Sequence, residues 1–135
     1  MATKDMILGF KKTFNNKPTN FKEKILDGRK IHTIRIDKNN RWQSGKTIHF
    51  AYDTRTKNYD CFKIVQCISV QEIEILFDGS INVDGYALDR GDIKTLIKND
   101  GFDNLMDFFY WFSEYGSTFK GKIIHWTNKR YKNKK

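Results

Sequence analysis

At 135 residues, 39% of them hydrophobic and 15% aromatic, the chain can build one core and is short for two. It has no run of about 18 apolar residues and no charged-then-apolar leader, which argues against membrane insertion and predicts a cytosolic protein. Its net charge of +9 is unevenly spread: residues 1–60 carry 14 Lys and Arg against 6 Asp and Glu, residues 61–128 carry 6 against 10, and residues 129–135 carry 5 against none. Such a field attracts polyanions, although a lysine-rich solvated surface would look the same.

In chain order, Met6 to Phe10 reads as a strand and Asn15 to Pro18 as a turn. Asn20 with Glu23 three positions on is a capping-box pattern, opening a short helix whose apolar stripe is Phe21, Ile25 and Leu26 and whose C-terminal glycine is Gly28. The polar extended segment from Arg29 to Arg35 follows, then a loop from Asp37 to Gly45 carrying Arg41 and Trp42. Alternation at Ile48 and Phe50 predicts a strand from Lys46, paired across a Thr54–Asn58 turn with a strand from Cys61 to Val70. Further β structure is expected at Ile73 to Phe77, turning at Asp78-Gly79 towards Ile81 and Val83.

Two helices come next. The first shows Ile93, Leu96 and Ile97 on one face; the second starts at Asp103 with Leu105, Phe108, Phe109 and Phe112 at i, i+3, i+4, i+7. Met106, Tyr110 and Trp111 predict that this second helix is covered on more than one side. Lys122 to Trp126 closes a domain spanning residues 1–128, and residues 129–135 read as a disordered basic tail. The order of elements predicts an α+β fold: a small mixed β-barrel with about three flanking helices.

Several motifs carry little. Gly45-Lys46-Thr47 lacks the glycine of a phosphate loop five residues earlier, where Asn40 stands, and precedes a strand; Gly45 is expected to be a turn glycine. His32, His49 and His125 have no partner at metal-ligand spacing, so no metal and no cofactor are expected. Cys61 and Cys67 on one strand would lie roughly 20 Å apart, too far to pair, and are expected to be buried thiols.

The informative cluster is Gly28-Arg29-Lys30-x-His32-Thr33-Ile34-Arg35, three cations, an imidazole and a hydroxyl within eight residues. Arg offers a planar fork, Lys a mobile charge and Thr a donor and acceptor, a set suited to an anionic or base-bearing ligand. Arg29, His32, Arg35, Arg41 and Trp42 are the candidate ligand-binding residues. Trp42, lying in a polar loop, is the favoured stacking platform ahead of Tyr52 and Trp126.

Phe21-x-x-x-Ile25-x-x-Gly28-Arg29-Lys30-x-x-Thr33-Ile34-Arg35, then Gly45 before a strand, then Asp100-Gly101-Phe102 before an aromatic helix, resembles the ASCH domain. The resemblance implies a PUA-like barrel that binds RNA or a nucleotide-like ligand in a cleft between barrel and helices. It also brings in small bacterial amidohydrolases that remove the acetyl group from N4-acetylcytidine, in which the motif's lysine is proton acceptor, its threonine nucleophile and a glutamate the proton donor. By motif position these roles fall on Lys30, Thr33 and Asp100, an aspartate standing in place of the glutamate. A threonine hydroxyl needs an adjacent base, and a lysine can be one only if its pKa falls well below about 10.4. Positions 30 and 33 point to opposite faces of a regular strand, so a bend is expected between them. Binding alone and amidohydrolase-type hydrolysis both follow, with a monomer the favoured state and no membrane partner.

Overall fold

The structure, a computed structural model, describes residues 5–132. It is a mixed α+β domain whose strands form one three-stranded, one five-stranded and one two-stranded sheet. The chain starts with β1 (Met6–Gly9), whose Met6 and Leu8 point into the core while Ile7 faces out. A small hairpin, β2 (Thr13–Phe14) and β3 (Lys17–Pro18), turns at Asn15 and Asn16, both at positive φ, as a tight two-residue hairpin turn requires.

The helix α1 (Phe21–Leu26) buries Phe21 and Ile25, but Leu26 is exposed, and the expected cap is not formed. Asn20 sits in the left-handed region, with no side-chain bond to the helix. Gly28 ends the helix at φ 88°, where a side chain would be strained. Then come β4 (His32–Arg35), β5 (Thr47–Tyr52), β6 (Asp60–Gln66) and β7 (Ser69–Leu76). The strand expected from Cys61 to Val70 is two strands, broken at Cys67 and Ile68. There the chain leaves one sheet for the other, with Cys67 N–H donating to Lys46 O and Ile68 N–H to His125 O. Cys67 is buried as expected; Cys61 is exposed, because its position on β6 faces away from the core.

After β8 (Ile81–Val83) a turn at Asp84-Gly85 returns the chain in β9 (Tyr86–Ala87), a strand the sequence pattern does not announce. Two helices follow, α2 (Arg90–Asn99), capped by Asp89 onto Asp92 N–H, and α3 (Leu105–Ser113), capped by Asn104 onto Asp107 N–H. The α3 helix buries Phe108 and Phe112 but exposes Leu105, Met106 and Tyr110, so one face is covered where two were expected. The last strand, β10 (Thr118–His125), lies between β4 and β7, antiparallel to both.

The sheet orders are β1-β5-β6, with β1 and β5 parallel, and β4-β10-β7-β8-β9. No sheet closes on itself, so the expected barrel is replaced by open sheets facing a common core, with β4 and β9 as edges of the larger one. Among the described residues no helix is long and apolar enough to cross a membrane. Of the expected basic tail, residues 129–132 are described. Lys129 to Lys132 follow β10, and Tyr131 is buried, because its ring and backbone find partners in the core; residues 133–135 lie outside the described residues.

Candidate functional site

Three chain segments that are remote in sequence meet at the C-terminal ends of α1 and α2. Past Gly28 the backbone doubles back, with Lys30 N–H on Lys24 O and Ile31 N–H on Asn99 O, so Lys30 precedes β4 and is free of strand alternation. This supplies the bend expected between Lys30 and Thr33. Asp100 caps the end of α2 and Gly101 follows at φ 93°. A side chain at Gly101 would come within 2.9 Å of Lys30 Cδ and 3.2 Å of the Phe21 ring, so this glycine is needed both for its backbone angle and to let the lysine stem pass.

Lys30, Thr33, Arg35 and Asp100 all line one cavity of about 130 Å³. Its apolar walls include Phe10, Phe21, Phe102 and Trp111, and Lys11, Glu114 and Tyr115 stand at its more exposed side. The Lys30 side chain is buried, its Nζ 4.9 Å from the Phe21 ring centre. That Nζ donates to His32 O (2.9 Å), to Asp100 O (2.5 Å) and, at 3.4 Å, to Asp100 Oδ1. Loss of solvent lowers the Lys30 pKa to about 8; Asp100 opposes the shift, and Arg35 and Lys24 add to it. Arg35 donates through Nη2 to Gly9 O (2.8 Å) and lies 5.0 Å from the Phe10 ring centre. Burial lowers its pKa to about 10, which leaves it a cation at neutral pH.

Thr33 is buried to within 4% of full enclosure, and among the described residues nothing hydrogen bonds to its hydroxyl. The Thr33 hydroxyl is not an enclosed orphan, as the Ser69 hydroxyl and His125 Nδ1 are, so it keeps access to solvent at the cavity it lines, where a ligand group could replace that solvent. The same cavity is lined by an amine with a lowered pKa, that of Lys30, and by the Arg35 guanidinium. Together they can bind a polar, partly anionic group, and the amine can accept a proton in the neutral range.

The remaining candidates are elsewhere. Arg29 is exposed, paired with Asp27 at 2.7 Å. Arg41 is exposed in a shallow groove with Asp5, Met6, Ile7 and Lys46. Trp42 is a core residue, 7% exposed, because Asp37 accepts from both the Arg41 and Trp42 backbone N–H groups and folds the loop inward. It therefore offers no stacking face. Tyr52 is buried, and its hydroxyl accepts from Lys22 N–H; Trp126 packs edge-on against Phe50. His32 lies wholly inside, its Nδ1 3.2 Å from Asp100 Oδ1 and its Nε2 2.6 Å from the Tyr131 hydroxyl, so it cannot reach a ligand.

The sequence reading did not place Lys11, Trp111, Glu114 or Tyr115 at the site. Lys11 Nζ sits 5.3 Å over the Trp111 ring, an aromatic face and a cation at one wall of the cavity. Helical periodicity marks Trp111 as apolar but does not say what it faces, and Glu114 at the end of α3 carries no local signal. No family model matches the chain, and no curated protein or solved structure matches it.

Proposed function

We propose that the chain is an ASCH-type, PUA-like binding domain that takes the base of an RNA nucleotide or of a modified nucleoside into the cavity between α1, α3 and β4. The observation that carries this reading is the convergence of Lys30, Thr33 and Arg35 on one aromatic-walled cavity. Aromatic walls suit a base ring, and the polar groups suit its exocyclic oxygens and nitrogens. At about 130 Å³ the cavity is well below the roughly 300–1,000 Å³ of sites that enclose a drug-sized ligand, so one ring enters and the sugar and phosphate stay outside.

A second reading is favoured by the Lys30 pKa of about 8 in the same cavity as a Thr33 hydroxyl that bonds to none of the described residues. In it the chain is an amidohydrolase that removes an acyl group from a base such as N4-acetylcytosine. Lys30 takes the proton of Thr33, whose oxygen attacks the acyl carbonyl; the C–N bond breaks as the exocyclic nitrogen takes up a proton and leaves as the free amine, and water then hydrolyses the threonine ester to release the acid and restore the hydroxyl. Asp100 suits the role of proton donor poorly, since its Oδ1 already accepts from Lys30 and from His32; Glu114, on the open side of the cavity, is the better placed carboxyl group.

Incubating the protein with a panel of acylated and unmodified nucleosides and short RNAs separates the readings, with product followed by mass spectrometry and affinity by equilibrium binding. Binding without deacylated product supports the first reading; product that is lost in Thr33→Val and Lys30→Met supports the second. Under the first, Lys30→Met and Arg35→Met weaken binding by about tenfold or more and Thr33→Val matters least. Failure to bind any member of the panel overturns both.

A further inference from the structure

Behind the cavity, the Lys30 amine is held by a hydrogen-bonded chain that ends in the C-terminal segment. Asp100 Oδ1 lies within reach of Lys30 Nζ (3.4 Å) and of His32 Nδ1 (3.2 Å). His32 Nε2 is 2.6 Å from the Tyr131 hydroxyl, and that hydroxyl is 3.0 Å from Asn99 Nδ2. Tyr131 itself is clamped at both backbone atoms by one side chain. Its N–H donates to Gln71 Oε1 (2.9 Å), and its carbonyl accepts from Gln71 Nε2 (2.8 Å).

The partners fix the direction of every bond. An oxygen that accepts from an ammonium is an acceptor for the imidazole as well, so His32 carries its proton on Nδ1. Burial lowers the His32 pKa, which leaves the ring neutral, and Nε2 is then a bare acceptor. The Tyr131 hydroxyl must donate to it and can accept only from the Asn99 amide. Burial also raises the Tyr131 pKa, which keeps the phenol a donor. Tyr131→Phe would leave the buried His32 Nε2, and the half-buried Asn99 amide, without this partner.

We propose that Tyr131 and His32 are positioning residues for Lys30: the phenol fixes His32 in its Nδ1–H form, and that N–H holds Asp100 Oδ1 as an acceptor shared with the lysine amine. The role of this chain in function rests on the cavity being the ligand site; the chain itself does not. The charged and titratable groups facing Lys30 are Asp100 at the end of α2, Arg35 and His32 on β4, and Lys24 on α1; His32 also faces His125 on β10, at 5.4 Å between ring centres. Without the phenol only the 3.2 Å contact to Asp100 still favours the Nδ1–H form, and Nε2 is left to compete for the proton. The His32 bond to Asp100 is then weaker and Asp100 leans more heavily on Lys30, which favours the ammonium.

Two measurements on the ligand-free protein test this, and neither depends on whether the nucleoside panel gives binding or product. Long-range proton–nitrogen NMR of wild-type His32 is expected to show a neutral ring protonated on Nδ1 near pH 7; the Nε2–H form, or an imidazolium, overturns the proposal. The titration of the Lys30 Cε resonance is expected to move up by about one pH unit in Tyr131→Phe. In a His32→Asn background, whose amide donates to Asp100 with no tautomer to fix, the same change should leave Lys30 unmoved. An unmoved Lys30 in Tyr131→Phe, or equal shifts in both backgrounds as a merely structural tyrosine would give, overturns it. Should Tyr131→Phe fail to fold, the wild-type tautomer decides.

Discussion

The two sides of β4 carry similar residues and have opposite fates. Thr33 and Arg35 line the cavity, the first with an unspent hydroxyl and the second with a guanidinium held by one backbone carbonyl. One residue away, His32 faces the interior, where Asp100 and Tyr131 saturate both ring nitrogens. All three residue types look alike to a reader of motifs. The Thr33 hydroxyl bonds to none of the described residues, whereas both ring nitrogens of His32 are met inside the protein.

The sharpest way to break that comparison is on the buried side. Replacing His32 by Leu leaves Asp100 and the Tyr131 hydroxyl without their ring partner, and thermal or denaturant unfolding should show a loss of about 3 kcal/mol. A loss under about 1 kcal/mol would mean that His32 is not part of a satisfied network.

A smaller effect should appear with pH. Burial lowers the pKa of His125 from 6.5 to about 3, and that of His32 falls for the same reason. The unfolded chain therefore binds protons below about pH 6.5 that the folded chain refuses. Stability is full above that pH and falls as the solution is acidified, by up to about 1.4 kcal/mol per pH unit for each histidine. His125→Gln, whose amide can still donate to Gln71 Oε1, should shallow the slope between pH 6.5 and 5 by one histidine's share. An unchanged slope in that variant would remove His125 from the acid response.

The smallest effect on stability is expected on the cavity side. Thr33→Val removes a hydroxyl with no internal partner and nearly keeps its shape, so unfolding should change by less than about 1 kcal/mol. If this variant were as damaging as His32→Leu, the two sides of β4 would not differ as described.

Much of the local structure could be read from residue order. The Asp78-Gly79 turn, Gly28 at the end of α1 and the Ile48 and Phe50 alternation of β5 each depend on backbone preference or side-chain period within a few residues, and the expected Asn15 to Pro18 turn is found shortened to Asn15-Asn16, with Lys17–Pro18 paired in β3. The motif reading also named Lys30, Thr33 and Asp100 together, and all three line one cavity. Cys61 and Leu26 were misjudged because an apolar or small residue in an element does not reveal which face the neighbouring layer covers.

Tertiary contact alone decided the rest. Trp42 stands in a polar loop, yet Asp37 draws that loop inward, and Lys122 of β10 pairs with Asp37 at 3.2 Å to hold it there. His32 sits inside the basic cluster, yet its ring is enclosed by residues 68 and 99 positions away. Tyr131 lies in a run of charges that alone would stay solvated, and the Gln71 amide, the Asn99 amide and the His32 ring give it a buried place. The sequence alone determined which groups could do chemistry, because that depends on residue type and short spacing. Which of them found partners inside the protein was decided by residues far away in the chain, and no local pattern encodes those.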